Sequence, residues 1–362
     1  MNECLNKRAR LRMSGVSGLS PALNVPPCLI AVLLLMVFTL LAFNVPVAAA
    51  SDSIEKTQGS SDSIESANAW RNLLLDVVHA GDRLVAVGDR GHIVFSDDQG
   101  DHWVQASVPT RQMLTAVYFI DARRGWAVGH DAQILVSVDG GSTWARQFED
   151  LKRQAPLLDV WFKDANYGFA VGAYGMAMAT SDGGQHWKDI SDRFDNPDQL
   201  HFNAITAVRD AGLFVVGEQG SMFRSYDSGQ TWQRVYGPYS GSLFGVIGTG
   251  QPASLLMYGL RGNLYRSIDF GSSWAPIALE ANHGRLEFGL SGATLLVDGS
   301  LVIVGNGGSV IRSTDGGRTF SVFNRPDRIS LSAVTSAGSG HLALVGQGGI
   351  HITTLNGAEL GQ

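Results

Sequence analysis

Residues 171–187 read VGAYGMAMATSDGGQHW. An apolar run ends at Gly172, two variable residues lead to Gly175, a short alternating stretch reaches Thr180, and a polar hairpin closes on Trp187. The phrase recurs as VGDRGHIVFSDDQGDHW at 87–103, VGHDAQILVSVDGGSTW at 128–144, VGEQGSMFRSYDSGQTW at 216–232 and YGLRGNLYRSIDFGSSW at 258–274. It appears again as VGNGGSVIRSTDGGRTF at 304–320 and VGQGGIHITTLNGAE at 345–359. The first glycines, Gly88, Gly129, Gly172, Gly217, Gly259, Gly305 and Gly346, stand 41 to 46 residues apart. Within the third unit the spacing predicts four strands: Leu157 to Phe162, Tyr167 to Val171, Met176 to Thr180 and Trp187 to Ile190. Period-two alternation with β-branched and aromatic enrichment over such short runs favours strands over helices. Four strands recurring every ~40–45 residues are the mark of propeller blades. The expected fold is therefore all-β, a seven-bladed β-propeller with four-stranded blades, occupying residues 67–362 as one domain.

Composition agrees. Glycine supplies 44 of 362 residues while 44% of the chain is still hydrophobic, which leaves a core and excludes disorder, collagen and a helical bundle. The seventh unit lacks a fourth strand of its own. The stretch from Ser66 to Asn72, with Trp70, has no blade, and it is expected to complete the last sheet and remove a free edge.

Each hairpin follows Ser/Thr-x-Asp-x-Gly-x-Thr-Trp. Asp98, Asp139, Asp182, Asp227, Asp269 and Asp315 hold the acidic position, where a short carboxylate accepts hydrogen bonds from turn amides; Asn356 stands there in the last copy. Gly100, Gly141, Gly184, Gly229, Gly271 and Gly317 supply a positive φ. The closing Trp103, Trp144, Trp187, Trp232, Trp274 and Phe320 are expected between blades. A carboxylate repeated once per blade lies on a ring and cannot converge on one substrate, so these six are read as structural locks.

These hairpins resemble the Asp-box, or bacterial neuraminidase repeat. The fuller unit, with phrases such as DARRGWAVG at 121–129 and DANYGFAVG at 164–172, resembles the photosystem II stability/assembly factor family from about residue 70 to residue 358. That resemblance implies a lumenal or periplasmic seven-bladed propeller acting as a non-enzymatic assembly factor, one that binds membrane-protein subunits partly through an arginine-rich patch. Relatives in non-photosynthetic bacteria carry the same domain.

Lys7, Arg8, Arg10 and Arg12 precede the uncharged run LIAVLLLMVFTLLAF at 29–43, followed by Pro46 and VAAA at 47–50. This is the layout of a secretory signal, with cleavage expected after Ala50; ~15 apolar residues fall short of the ~20 needed to span a bilayer. Residues 1–50 hold four basic residues and one acid, so their removal leaves 23 basic against 32 acidic residues, a net charge of −9. They also carry both cysteines, Cys4 and Cys28, so the exported chain needs no disulfide. Its acidity argues against nucleic acid or an anionic membrane surface as the partner. Residues 51–66 repeat SDSIE and read as a flexible linker.

No histidine or carboxylate spacing gives a metal site, so neither metal nor cofactor is expected. GNGG at 305–308 lacks the last glycine of a dinucleotide loop and leads into a strand rather than a helix. There are no expected catalytic residues. The alternative function for this fold is a periplasmic glycoside hydrolase of the sialidase-like kind, although its Arg-Ile-Pro phrase is absent. The preferred reading is a monomeric binding scaffold. Loops joining second to third strands and those between blades share one face, and Arg90, Arg111, Arg153, Arg261 and Arg285 on that face are the expected partner-binding residues, suited to a membrane-protein complex or subunit.

Overall fold

The computed structural model describes residues 61–281, 284–338 and 340–360. The expected signal segment and residues 51–60 of the expected linker lie outside the described residues. The rest is a seven-bladed propeller of antiparallel sheets, in which six blades have four strands and the seventh has three. Blades 1 to 7 span residues 74–105, 114–148, 157–189, 202–235, 243–276, 290–324 and 331–354. A two-stranded hairpin, Glu280–Ala281 with Gly284–Arg285, interrupts the passage from blade 5 to blade 6. Helical structure among the described residues is limited to three-residue 3-10 turns, so no helix there is long and apolar enough to cross a membrane.

Second strands such as Gly125–Gly129, Gly168–Gly172, Leu255–Gly259 and Leu301–Gly305 are buried at every position. A neighbouring blade covers each face of the sheet, which is why these strands read as unbroken apolar runs rather than alternating ones. The hairpins interlock the blades. Gly141 packs on Val85 of blade 1, Gly229 on Phe169 of blade 3 and Gly271 on Phe214 of blade 4, each leaning on the preceding blade; a Cβ would be tight at Gly141 and would collide at Gly229 and Gly271. The closing tryptophans meet the same aromatics edge-on, Trp232 at 6.1 Å from Phe169 and Trp274 at 6.0 Å from Phe214 between ring centroids.

Toward the axis the first strands crowd together. Each carries a bulge just after its first residue, and the next residue faces the central channel: Asp76, Ala116, Asp159, Ala204, Gly245, Gly292 and Ala333 in blades 1 to 7. Five of the seven are Gly or Ala, and at two of them the space a side chain would need is already filled, by the Tyr258 hydroxyl at Gly245 and by the neighbouring strand at Gly292. A Cβ at Gly292 would strike the Ser332 carbonyl of the next blade. Side chains near this layer staple successive blades. Asp76 Oδ2 accepts from Val117 N at 2.9 Å, Thr115 Oγ1 donates to Leu157 O at 2.7 Å, Asp159 Oδ2 accepts from Ile205 N at 2.8 Å, and Asn203 Nδ2 donates to Leu243 O at 2.7 Å. His79 Nε2 lies 2.9 Å from Ser336 Oγ, joining blade 1 to blade 7.

Ring closure differs from the sequence expectation. Ser66 to Asn72 does not add a strand to blade 7; Ala69–Arg71 is a 3-10 turn. Ser63 N donates to Val108 O at 2.9 Å and Ser66 N to Gln105 Oε1 at 2.8 Å, so the segment runs along blade 1. The physical reason is apolar. Ala69 and Trp70 plug the seam between blades 1 and 7, packed with Leu74, Val77, Val345 and Ile350, and the Trp70 carbonyl lies against Gly349. The last strand of blade 7, Gly349–Thr354, is instead met by the chain's own Glu359, which bridges antiparallel to Thr353. Arg325, buried to 1% exposure, pins that turn by donating to the Gly357 carbonyl at 3.0 Å while paired with Asp327.

Two glycine substitutions separate packing from backbone strain. Gly229 (φ +83) faces the Phe169 ring, whereas Gly316 (φ +73) has open space around it. Gly316→Ala should cost about 1 kcal/mol for the left-handed backbone alone. Gly229→Ala should cost about 2–4 kcal/mol, because overpacking adds to that strain. Urea unfolding of both variants measures the difference, and equal losses would remove the interlock.

Candidate functional site

The turns between second and third strands form a crest around one end of the propeller. Each is a type I′ turn, with φ near +55° to +70° at both central residues of blade 1 (Arg90 57°, Gly91 69°) and blade 5 (Arg261 56°, Gly262 65°). The second central residue is Gly in every blade but the second, where Ala132 is held at φ 53°. The first central residue is Arg90, Asp131, Tyr174, Gln219 and Arg261 in blades 1 to 5, all at positive φ. Arg, Tyr and Gln seldom adopt this conformation, which costs of order 1 kcal/mol each. The turn fixes their stems and aims the side chains away from the sheets.

The structure brings the five sequence-predicted arginines together only in part. Gly91, next to Arg90, abuts the Thr110–Arg111 backbone, and Gly262, next to Arg261, abuts Leu286, next to Arg285. This gives two arginine pairs on the same face, one at blade 1 and one at blade 5, with blades 6 and 7 between them. Arg90 is exposed and only loosely matched to Asp89, at 3.6 Å. Arg111 Nε donates to the Asp62 carbonyl at 2.9 Å. Arg261 and Arg285 are exposed and have no ion pair among the described residues. Arg153 stands apart, half-exposed and paired with Asp189.

Arg153 also edges a cavity of about 670 Å³ on this face, lined by Tyr174, Met176, Phe194, Asn196 and Pro197 among others. Tyr174, 60% exposed, stands edge-on to the His201 ring at 5.1 Å. The cavity's far wall is the loop after blade 3, and its only trace in the sequence is the lengthened 45-residue step from Gly172 to Gly217. Sequence reasoning also passed over Asp76, Asp159 and Tyr258, which line the central channel.

The six repeated aspartates lie at the opposite end and are tied down identically. Asp182 Oδ1 accepts from Thr180 Oγ1 (2.9 Å) and His186 N (2.9 Å), and Oδ2 meets His186 Nδ1 at 2.7 Å. Asp227 repeats this with Ser225 and Thr231. The His186 amide and ring hold the Asp182 carboxyl down to about 2, and the Thr231 hydroxyl and amide do the same for Asp227. Carboxylates so occupied are locks rather than acids or bases.

The family model for the photosynthesis system II assembly factor YCF48 matches residues 95–155 and 146–284. The chloroplastic photosystem II stability/assembly factor HCF136 of Cyanidioschyzon merolae is 39% identical over 62 residues, a stretch covering 16% of this chain and 14% of that protein. YCF48 from Cyanidioschyzon merolae superposes with a TM-score of 0.62 at 18% identity, covering 80% of this chain and 97% of that one. A structure of YCF48 bound to D1 peptide gives a TM-score of 0.60 at 18% identity, over 78% and 92% of the two chains.

The hairpin locks predict an acid-limb pH dependence. A carboxyl held near 2 when folded, against 3.8 ordinarily, contributes stability that is full above 3.8 and is lost as pH falls toward 2. Asp182→Asn should therefore lower Tm at pH 7, with the gap to the native protein narrowing between pH 4 and pH 2. A gap independent of pH in thermal melts would assign the loss to packing instead.

Proposed function

The chain belongs to the photosynthesis system II assembly factor YCF48 family, and on that premise we propose that it is an exported, non-catalytic, monomeric scaffold that docks a segment of a membrane protein on its arginine-bearing face. The observation carrying this reading is the crest. Arg90 and Arg261 project from type I′ turns whose strained backbone is fixed by the fold, each beside a second arginine, Arg111 or Arg285. Strain retained at display positions is a mark of function. A guanidinium presented on a fixed stem loses little freedom on binding, and its planar fork suits carboxylate or carbonyl groups of a peptide. The relative solved with D1 peptide supports a membrane-protein segment as the class of partner.

Export rests on the signal layout of residues 1–50, and the succession of positive charge, apolar run and VAAA is the reason to place the protein beyond the membrane. A hydrolase of this architecture would need two carboxylates converging on an open cleft. The six repeated aspartates are instead each consumed by their own turn, which supports a scaffold.

Arg90→Glu with Arg261→Glu should weaken capture of the partner from detergent-solubilised native membranes at least tenfold, and Arg90→Gly with Arg261→Gly should weaken it with no loss of Tm, because glycine relieves the left-handed strain. Undiminished capture by the charge-reversed protein would sink the reading. Purified protein should leave chromogenic glycosides uncleaved, and turnover there would favour the hydrolase.

A further inference from the structure

The segment that leads into blade 1 lies on it as a bound peptide would. Arg111 Nε donates to the Asp62 carbonyl at 2.9 Å, Ser63 N to the Val108 carbonyl at 2.9 Å, and Gln105 Nε2 to the Ile64 carbonyl at 3.0 Å. Gln105 Oε1 in turn accepts from Ser66 N at 2.8 Å. The buried His92 ring, 3.1 Å from Asn72 Nδ2, also hydrogen-bonds with the Ile64 backbone. Each of these contacts is made with the main chain of the segment. Asp62, Ile64 and Glu65 stay exposed, Ile64 to 63%. One end of the site adjoins the crest, since the Thr110–Arg111 backbone abuts Gly91, next to Arg90.

Two features mark the segment as replaceable. Residues 62–66 are held by backbone hydrogen bonds that are individually weak in water, and none of their side chains is buried. The buried anchor, Ala69 and Trp70 in the seam, comes only after them. Main-chain recognition of this kind accepts other extended segments of suitable chemistry. The strap fills the site nonetheless, because its tether at Ala69 holds it there at an effective concentration of millimolar order. The other feature is composition. Residues 61–66 read SDSIES, with two acids and no base, and they lie against Arg111 on a chain that is acidic as a whole. The sequence carries the same SDSIE ten residues earlier, at 51–55. Without the strap, Arg111, Gln105 and His92 would each lose a carbonyl partner that another extended backbone can supply.

We propose that the edge of blade 1 formed by Gln105, Val108 and Arg111 is a docking site for an extended acidic segment of a partner protein, and that residues 62–66 occupy it in cis until such a segment displaces them. The site gives the Arg90 and Arg111 pair a partner chemistry: serine and carboxylate side chains on an extended main chain whose carbonyls meet Arg111 and Gln105. It rests on the scaffold reading only for the partner being a membrane protein. A strap that must be displaced also sets a threshold. A segment that touches blade 1 alone competes with it at full strength, whereas one held at Arg261 and Arg285 as well gains from the second contact. The strap thereby favours partners that engage both arginine pairs.

A fluorescein-labelled peptide of residues 61–67, SDSIESA, is the probe, read by anisotropy against the full chain. Ser63→Pro with Ser66→Pro removes two donors of the strap, and Ser53→Pro keeps the first SDSIE from standing in for the second. This triple variant should bind the peptide about tenfold more tightly than the native protein does. Adding Gln105→Ala should abolish the gain. The native chain supplies a readout that no substitution affects: excess peptide at millimolar concentration should speed hydrogen exchange at the Ser63 and Ser66 amides and leave the Val117 amide, held by Asp76, unchanged. Equal peptide affinity in native protein and triple variant, affinity that survives Gln105→Ala, or strap amides indifferent to peptide would each overturn the proposal. A native protein that sediments as a dimer and falls to monomer with peptide would give the site to a second copy's strap and overturn it too. Capture from native membranes has no part in these readouts, so the scaffold reading stands or falls separately.

Discussion

Seven sheets closing around one axis crowd their innermost strands, and that crowding governs the rest of the molecule. The ring positions accept only Gly or Ala where backbone meets backbone, as at Gly292 against Ser332. Moving outward the blades diverge, and the widening gap is filled by progressively larger groups: the apolar second strands, then the hairpin tryptophans set edge-on to Phe169 and Phe214. Hairpin glycines are small for a different reason from ring glycines. They let one blade's turn settle on the previous blade's aromatic, while the aspartate and Ser or Thr beside them hold the turn in the required shape. Dispersion and area burial between blades do the bulk of the stabilising, and the polar locks set the geometry in which it happens.

A repeat of this kind makes departures from it informative. Where every blade obeys the pattern, the residue belongs to the architecture. Asp76 and Asp159 break the small-residue rule at the ring, and Tyr258 is admitted to the axis only because Gly245 yields. Arg90, Tyr174, Gln219 and Arg261 break the glycine preference of a type I′ turn. Blades 6 and 7 satisfy that preference with Gly307 and Gly348, at φ 64° and 81°. Since neighbouring blades show that the unstrained choice was open to the fold, the strained choice in blades 1, 3, 4 and 5 needs a reason outside the fold.

The repeat itself was legible in the sequence, from blade count to hairpin locks, because spacing and glycine placement act locally. Strands predicted at 157–162, 167–171 and 176–180 are observed at Leu157–Phe162, Gly168–Gly172 and Ala177–Thr180. Closure was not legible. Trp70 and its neighbours look like a missing strand when the count of strands is the only guide, but Ala69 and Trp70 gain more by plugging the seam beside Ile350 than by pairing an edge. The two channel carboxylates were hidden for a related reason. Asp76 and Asp159 are 83 residues apart, and only alignment of the bulges, blade by blade, reveals that they occupy the same position. Arginines could be assigned to a face from sequence, but their division into two pairs depends on which interblade loop each turn touches.

The electrostatics of the crest also follow from geometry rather than from net charge. On an acidic protein, an arginine usually finds a carboxylate, and several here do: Arg83 with Asp97, Arg153 with Asp189, Arg325 with Asp327. Those partnerships differ in what they cost to break. Arg325 is buried and pins the turn at Gly357, so it is committed to the fold. Arg153 and Asp189 are about 40% exposed, and an ion pair of that kind is worth about 0–1 kcal/mol, so it is only weakly held. Arg90 sits 3.6 Å from Asp89 and 74% exposed, which leaves its fork open. The turn that lifts Arg90 and Arg261 out of the sheet also carries them beyond the reach of most of the chain's own acids. The left-handed turns thus leave the guanidinium groups of Arg90 and Arg261 exposed on an acidic protein, Arg90 only loosely matched to Asp89.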